Sequence, residues 1–459
     1  MTLAQTQSLC PVCLRLIDAD YLCEGDAVYI RKTCPQHGTF QSPVWKQGVG
    51  LPSFNTWRQS SRIPAYPAHP ATDIVKGCPF DCGLCPDHVQ HTCTGLIEVT
   101  MRCSLGCPVC YARAASQATD PSLDAIGRQL DALYRASGSC NVQLSGGEPT
   151  ERDDLPAIIR MAKNKGFALV QVNTNGLRLG TEPGYAATLK KAGLDSVYLQ
   201  FDGVDDSVYR ALRGRACLAQ KKSAIDACGE IGLGVVLVCT LVRGVNDSQI
   251  GELLRFALAQ GSHVRGLHFQ PVSSFGRFPW DLADAPRITL PELMERLERQ
   301  SDGLARISHF HAPSCEHPLC SFSAVYARRA DGSLGDPIGA SCCSGGSSLA
   351  GTPPLTDNAE GSRVSRAFTA AHWSSPHESK APLNDAFSRF ISRSGADKRF
   401  TISAMAFQDA LSLDVERVRG CCIHVVSPDG RLIPFCLYNL TTLDNTPLYR
   451  PAPDERNRS

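Results

Sequence analysis

The sequence predicts an α/β protein, and three patterns predict it. From Leu96 to about Leu304, short runs rich in β-branched and aromatic residues alternate with stretches of helical periodicity. The alternation stops after about residue 305, and cysteine-bearing segments flank it on both sides. With 459 residues, 43% of them hydrophobic, the chain can bury a substantial core.

Residues 1–50 read as a small metal-binding module. Cys10-Pro-Val-Cys13 forms a knuckle, Val28 to Lys32 reads as a strand, and Cys34-Pro-Gln-His37 supplies a second ligand pair. Three cysteines and a histidine suit tetrahedral zinc, or iron if the fourth ligand is a thiolate; Cys23 is then the alternative fourth ligand. The favoured role is a structural clip. Residues 51–95 carry Cys78-Pro-Phe-Asp-Cys82-Gly-Leu-Cys85, with Cys93 further on. No strand precedes this loop, since Arg62 to Lys76 is rich in proline and alanine. Cys78, Cys82, Cys85 and Cys93 therefore read as a closed auxiliary iron–sulfur site with four thiolates.

Residues 96–305 hold the alternating part. Strands are expected at 96–101, 141–144, 168–173, 196–201, 234–241 and 265–270. Between the first two, Asp120 can cap a helix with Pro121 at its first position, which puts Leu123, Ile126, Leu130 and Leu133 on one face. Six βα units imply a parallel sheet with right-handed crossovers, and chemistry belongs at the carboxyl ends of such strands. Cys140, Cys217, Cys228 and Cys239 fall within these patterns and read as small core residues, as does His268.

Residues 306–459 form a cysteine-bearing carboxy-terminal extension. Cys315, Cys320, Cys421 or Cys422, and Cys436 are candidates for a second auxiliary cluster, with Cys342 and Cys343 as further candidates. Residues 341 to 380, rich in Ser, Gly, Ala and Pro, read as loop; pattern returns at Phe400, and Pro451 to Ser459 read as a frayed tail.

Lys+Arg 46 against Asp+Glu 45 leaves no basic excess, so phosphate neutralisation and nucleic-acid binding are not expected. Twenty-two cysteines could imply disulfides, but no signal peptide opens the chain, and clustered spacings point instead to metal in a reducing, cytoplasmic compartment. The longest apolar run, Leu233 to Val242, is too short to span a bilayer, although peripheral membrane contact stays compatible with it.

Cys103-Ser-Leu-Gly-Cys107-Pro-Val-Cys110 carries the chemistry. Three thiolates spaced in this way can hold three corners of a [4Fe–4S] cube, whereas a structural cluster normally has four cysteines. The missing ligand suggests a coordination site kept open for a small molecule. The loop follows the first strand, and Ser145-Gly146-Gly147-Glu148-Pro149 follows the second.

This combination resembles the radical S-adenosylmethionine (SAM) enzymes. The resemblance implies an open, partial (β/α)6 barrel, a SAM-binding [4Fe–4S] cluster on Cys103, Cys107 and Cys110, and cleavage of SAM to a 5′-deoxyadenosyl radical. It also implies that Gly146, Gly147 and Glu148 hold SAM's amino group and that Asn173, Asn175, Gln200 and Asp202 meet ribose hydroxyls. Arg213 would pair with SAM's carboxylate, Thr240 and Gln270 would border adenine or substrate, and Tyr111 would cover adenine, since Val109 stands where many members carry an aromatic residue. The fuller order CPxC…CPxHG, GCPxDCGLCPxHxxxTC, IEVTxxCxLxCPxCYA, SGGEPT and CCIH…PDGRxIPFCxYN looks like the tetraether-synthase-like group. That group implies one or two auxiliary [4Fe–4S] clusters, a mononuclear zinc or iron site, a lipid or other apolar substrate, carbon–carbon bond formation, and a reductase or ferredoxin-type electron donor. The alternative is radical methylation or maturation of a pterin-like heterocycle or peptide.

Overall fold

Four strands at the amino end, β1 (Thr2–Leu9), β2 (Leu16–Glu24), β3 (Ala27–Cys34) and β4 (Gly38–Lys46), pair antiparallel in chain order. Their period-2 alternation buries Tyr21, Val28, Ile30 and Trp45. Antiparallel order also brings the β1–β2 and β3–β4 turns to one end, and these turns carry Cys10–Cys13 and Cys34–His37. Only part of β3 was expected here, because charged residues alternate with apolar ones too sparsely to mark the other three.

The structure, a computed structural model, describes residues 1–58, 62–281, 284–313, 315–329, 331–338, 356–373 and 399–451. A two-residue strand β5 (Arg62–Ile63) pairs parallel with β14 (Thr356–Asp357). The expected strands follow as β6 (Thr94–Thr100), β7 (Asn141–Gly146), β8 (Leu169–Thr174), β9 (Ser196–Gln200), β10 (Gly234–Leu241) and β11 (Val264–Pro271), each within two residues of its expected bounds. They lie side by side, parallel, in chain order.

The carboxy-terminal region extends the same sheet at both edges. β15 (Arg399–Met405) adds parallel to β11 and β16 (Ile423–Val426) parallel to β6, which makes eight consecutive parallel strands. Beyond them, β17 (Leu432–Pro434) pairs antiparallel with β16; β12 (Ser321–Arg328) and β13 (Leu334–Pro337) continue antiparallel past β15. The chain is thus an α/β protein with a mainly parallel sheet, an amino-terminal ribbon and a cysteine-rich carboxy-terminal part.

Helix Leu123–Ser137 buries Ile126, Leu130 and Leu133 as its spacing requires, but its cap differs from expectation. Ser122 is the N-cap and accepts from the Ala125 N–H, while Asp120 accepts from Thr100 Oγ1 and takes a bidentate grip from Arg102. An ion pair at the end of β6 outcompetes a cap two residues early. Helix Asn358–Trp373 lies where loop was expected. Small and polar residues such as Gly361 and Ser362 face inward there, so no apolar stripe announced it. Cys342, Cys343, residues 374–380 and the tail after Pro451 lie outside the described residues.

Candidate active site

Along the parallel strands every second residue faces a cavity of about 370 Å³: Gln143 and Ser145 on β7, Tyr198 and Gln200 on β9, and His268 and Gln270 on β11. Cys103, Cys107 and Cys110 line the cavity at the carboxyl end of β6. The loop that carries them is clamped from several elements. Cys110 and Arg277 exchange backbone hydrogen bonds, and Arg277 Nε donates to Cys107 O at 2.7 Å. Gly276, at φ +60°, lets that contact form, since a Cβ there would lie 2.5 Å from the Cys110 and Tyr111 carbonyls. Ser104 N donates to Glu151 Oε1 at 2.6 Å, and Arg213 Nη1 to Val109 O at 3.0 Å.

Burial pushes the Cys103 thiol up to about 12 and raises Cys107, against the lowering effect of the Arg213 guanidinium on the latter. A bound cation would reverse this, because thiolates are the ligating form. Among the described residues, only two groups of His, Cys, Asp or Glu donors converge to within 4.8 Å, and these three thiols are not one of them. At least one pair of them therefore stands more than 4.8 Å apart.

Gly146 and Gly147 are required by close backbone packing at the ends of β6 and β7. A Cβ on Gly146, at φ +124°, would lie 2.0 Å from Thr100 O, and one on Gly147 2.2 Å from Arg102 O. Glu148 lines the cavity and also serves the loops around it. Its buried carboxylate accepts from Thr150 N, Thr150 Oγ1 and Thr174 Oγ1 on Oε1 and from Asn175 N on Oε2, which fixes the loops after β7 and β8. Burial raises its pKa while those donors oppose the rise.

Arg213 and Asp202 hold each other at the cavity's edge. The guanidinium grips Asp202 bidentately, at 2.7 and 2.9 Å, and gives its remaining donors to Val109 O and Thr240 Oγ1. Asp202 is fully buried, accepts from Thr240 N and Gln200 Nε2, and does not line the cavity. The pair ties the ends of β9 and β10 to the cysteine loop, and Arg213, unlike Asp202, also lines the cavity. Gln200 lines the cavity with its amide shared between Asp202 and Lys221. Asn175 caps the turn through Leu177 N, and Asn173 turns its Nδ2 to Gln143 while its buried Oδ1 has no partner. Thr240 and Gln270 line the cavity, as does Tyr111, whose hydroxyl meets Ser145 Oγ at 2.8 Å and whose ring packs 5.5 Å from that of Phe435.

The other cysteines regroup. Cys10, Cys13, Cys34 and His37 bring their donors within 4.8 Å of one another, with His37 Nδ1 at 3.4 Å from Cys34 Sγ and 3.6 Å from Cys10 Sγ. Those separations match the edges of a tetrahedron around zinc. A hydrogen bond from the Gln36 backbone, then one from His37, brings Cys34 down to about 6, toward the ligating thiolate. Cys23 faces Gln47 and Gly25 instead and takes no part.

Cys93 does not join Cys78, Cys82 and Cys85. It opens the approach to β6 and is disulfide-bonded to Cys315, with Cys422 within 4.8 Å of both. Cys78, Cys82 and Cys85 line a separate small pocket beside Arg419. Cys315 likewise leaves Cys320, Cys421 and Cys436, which lie close enough to influence one another: burial first, then the Cys436 and Cys320 charges, push the Cys421 thiol up. Arg417 donates twice to Cys320 Sγ at 3.4 Å. Cys140, Cys217, Cys228 and Cys239 are buried core residues as expected. His268, expected in the core, is in the cavity wall. Tyr198, Gln143, Trp373 and Ser403 were not singled out from sequence, although inward alternation along each strand marks three of them.

Residues 97–257 match the radical SAM superfamily, and residues 2–46 match the HMPTM N-terminal zinc ribbon domain. Over 95% of its length the chain is 34% identical to the 7,8-dihydro-6-hydroxymethylpterin dimethyltransferase of Methanocaldococcus jannaschii, covering 93% of that protein. The chain belongs to this radical SAM family. It is an enzyme family whose members imply a [4Fe–4S] cluster and SAM. The expected tetraether-synthase-like group gives way here, since the relative aligned from end to end is a pterin dimethyltransferase. A probable GTP 3′,8-cyclase of Methanothermobacter thermautotrophicus is 30% identical over 36% of this chain and 54% of its own, so only about half of that relative is spanned. The crystal structure of Streptococcus suis SuiB with precursor peptide SuiA overlaps 46% of each chain at 19% identity and a TM-score of 0.37, a likeness too slight to argue from. No helix among the described residues is long and apolar enough to cross a membrane.

Proposed function

We propose that this chain is a radical SAM methyltransferase acting on a reduced pterin or a closely similar heterocycle. The observation that carries the reading is the alignment with the pterin dimethyltransferase, which runs through the ribbon, the sheet and the carboxy-terminal cysteines alike. The cavity agrees with it. Among its largely apolar and aromatic lining, Gln143, Asn173, Tyr198, Gln200 and Gln270 offer the few hydrogen-bonding groups that would orient a polar ring.

Cys103, Cys107 and Cys110 would hold a [4Fe–4S] cluster which, with SAM bound, supplies a radical able to take hydrogen from an unactivated carbon. The protein's own residues orient and enclose. Arg213, Arg277 and Glu151 fix the cysteine loop, Glu148 fixes the loops after β7 and β8, and Tyr111 with Phe435 closes one side against water. Cys10, Cys13, Cys34 and His37 suit zinc as a structural clip. Auxiliary clusters, if borne, fall on Cys78, Cys82 and Cys85 and on Cys320, Cys421 and Cys436. An external electron donor completes the cycle.

The test is anaerobic turnover of the reconstituted enzyme with SAM, reductant and 7,8-dihydro-6-hydroxymethylpterin. A pterin heavier by one or two methyl groups is expected, with 5′-deoxyadenosine from one SAM and S-adenosylhomocysteine from another that gives up its methyl. Formation of 5′-deoxyadenosine with the pterin recovered unchanged would refute the pterin assignment.

A further inference from the structure

We propose that the deep half of the cavity is a recognition chamber for a flat, nitrogen-rich heterocycle, with Asn173 and Trp373 as the residues that read its edge. The inference rests on the small-heterocycle reading above and assigns that substrate a place. Four side chains form a directional ladder that leads from the cavity wall, at Asn173 and Gln143, into the buried sheet, at Gln171 and Ser196. Asn173 Nδ2 donates to Gln143 Oε1 at 3.2 Å, Gln143 Nε2 to Gln171 Oε1 at 2.8 Å, and Gln171 Nε2 to Ser196 Oγ at 2.7 Å. Every donor points the same way, so each bond polarises the next. The ladder begins at Asn173 Oδ1, an acceptor buried without a partner in a residue that lines the cavity.

Trp373, which also lines the cavity, presents the opposite deficit: its Nε1–H is buried and has no acceptor. Its ring lies 5.9 Å from Tyr198 at 34°, and Tyr198 lies 5.7 Å from His268. These rings form an aromatic wall, and His268 is kept neutral by burial, so the wall carries no charge. An unpaired acceptor and an unpaired donor at the margin of an aromatic wall match a ring edge that offers N–H beside C=O or a ring nitrogen. A hydrocarbon would leave both atoms unsatisfied.

Binding to the reconstituted holoenzyme is measured anaerobically by calorimetry, with 7,8-dihydro-6-hydroxymethylpterin and, separately, GTP as probes. Asn173→Leu and Trp373→Leu should each weaken pterin binding about tenfold or more, the usual result of unpairing a buried polar group. Iron per chain reports folding. If a leucine variant loses iron, the milder pair decides: Trp373→Phe, lacking only the N–H, weakens binding, whereas Asn173→Asp, which keeps an acceptor, retains it. Wild-type binding of the pterin with all variants within about twofold would overturn the chamber and leave the pterin reading standing. Binding of GTP alone, with the same losses, would support the chamber and refute the pterin. Binding of neither probe would overturn the chamber.

Discussion

Asp202 and Arg213 show how one buried pair serves both the fold and the cysteine loop. Asp202 is fully buried, and Arg213 is nearly so. Removing one partner of such a pair costs about 3–5 kcal/mol, because the other charge stays in place without compensation. Arg213→Met should therefore lower the unfolding free energy by about that much. Its Nη1 also holds Val109 O, one residue before Cys110, so the variant should retain less iron after reconstitution. The double variant Asp202→Asn/Arg213→Met should recover a large part of the stability but not the iron, since the contact to Val109 stays lost. Denaturant titration and iron analysis read the two effects separately; a double variant no more stable than the single would contradict the account.

At the scale of elements, what could be read from sequence followed the range of the signal. Periodicity located β6 to β11 because each carries buried apolar residues at alternate positions, and β10 and β11 are buried on both faces. The spacing of Cys103, Cys107 and Cys110, and of Cys10, Cys13, Cys34 and His37, was legible because ligands close in sequence sit on one loop or on paired turns. Cys93 was misassigned since spacing says nothing of a partner 222 residues away. Glu148, Asp202 and Arg213 were located correctly in sequence, but their partners come from other strands and could not be foreseen. The ribbon illustrates the same limit: its docking is set by distant residues, with Thr6 Oγ1 and Tyr21 Oη donating to Asp414 and Lys32 Nζ to Ala410 O. Such docking predicts that the ribbon's metal is local in its effect. Cys34→Ser should lose about one zinc per chain and open residues 1–50 to limited protease, while the iron of the sheet domain is retained. Loss of zinc and iron together would show that the ribbon supports the whole fold.

For the molecule as a whole, the two edges of the six-stranded unit are finished by strands that come from the far end of the chain. β15 covers β11 through the pairs Gly266–Thr401 to Phe269–Ala404, and β16 covers β6 through Ile423–Thr94 to Val425–Leu96. The β6 edge is pinned further by Cys93, bonded to Cys315 and hydrogen-bonded through its N–H to Cys422 O. An uncovered edge of such a sheet presents unpaired N–H and C=O groups to other chains. Without residues 306–459, moreover, the cavity loses Trp373, Thr401, Ser403 and Phe435 from its wall. A chain ended at residue 305 should therefore aggregate and retain little iron, even though it keeps all six βα units and every cysteine of the 103–110 loop. A chain begun at residue 51 should aggregate less than that one, because both edges of the large sheet stay paired, although it uncovers the surface around Asp414. Light scattering and iron analysis of the two truncations test the claim; a monodisperse, iron-loaded 1–305 chain would mean that the six-stranded unit closes its own edges.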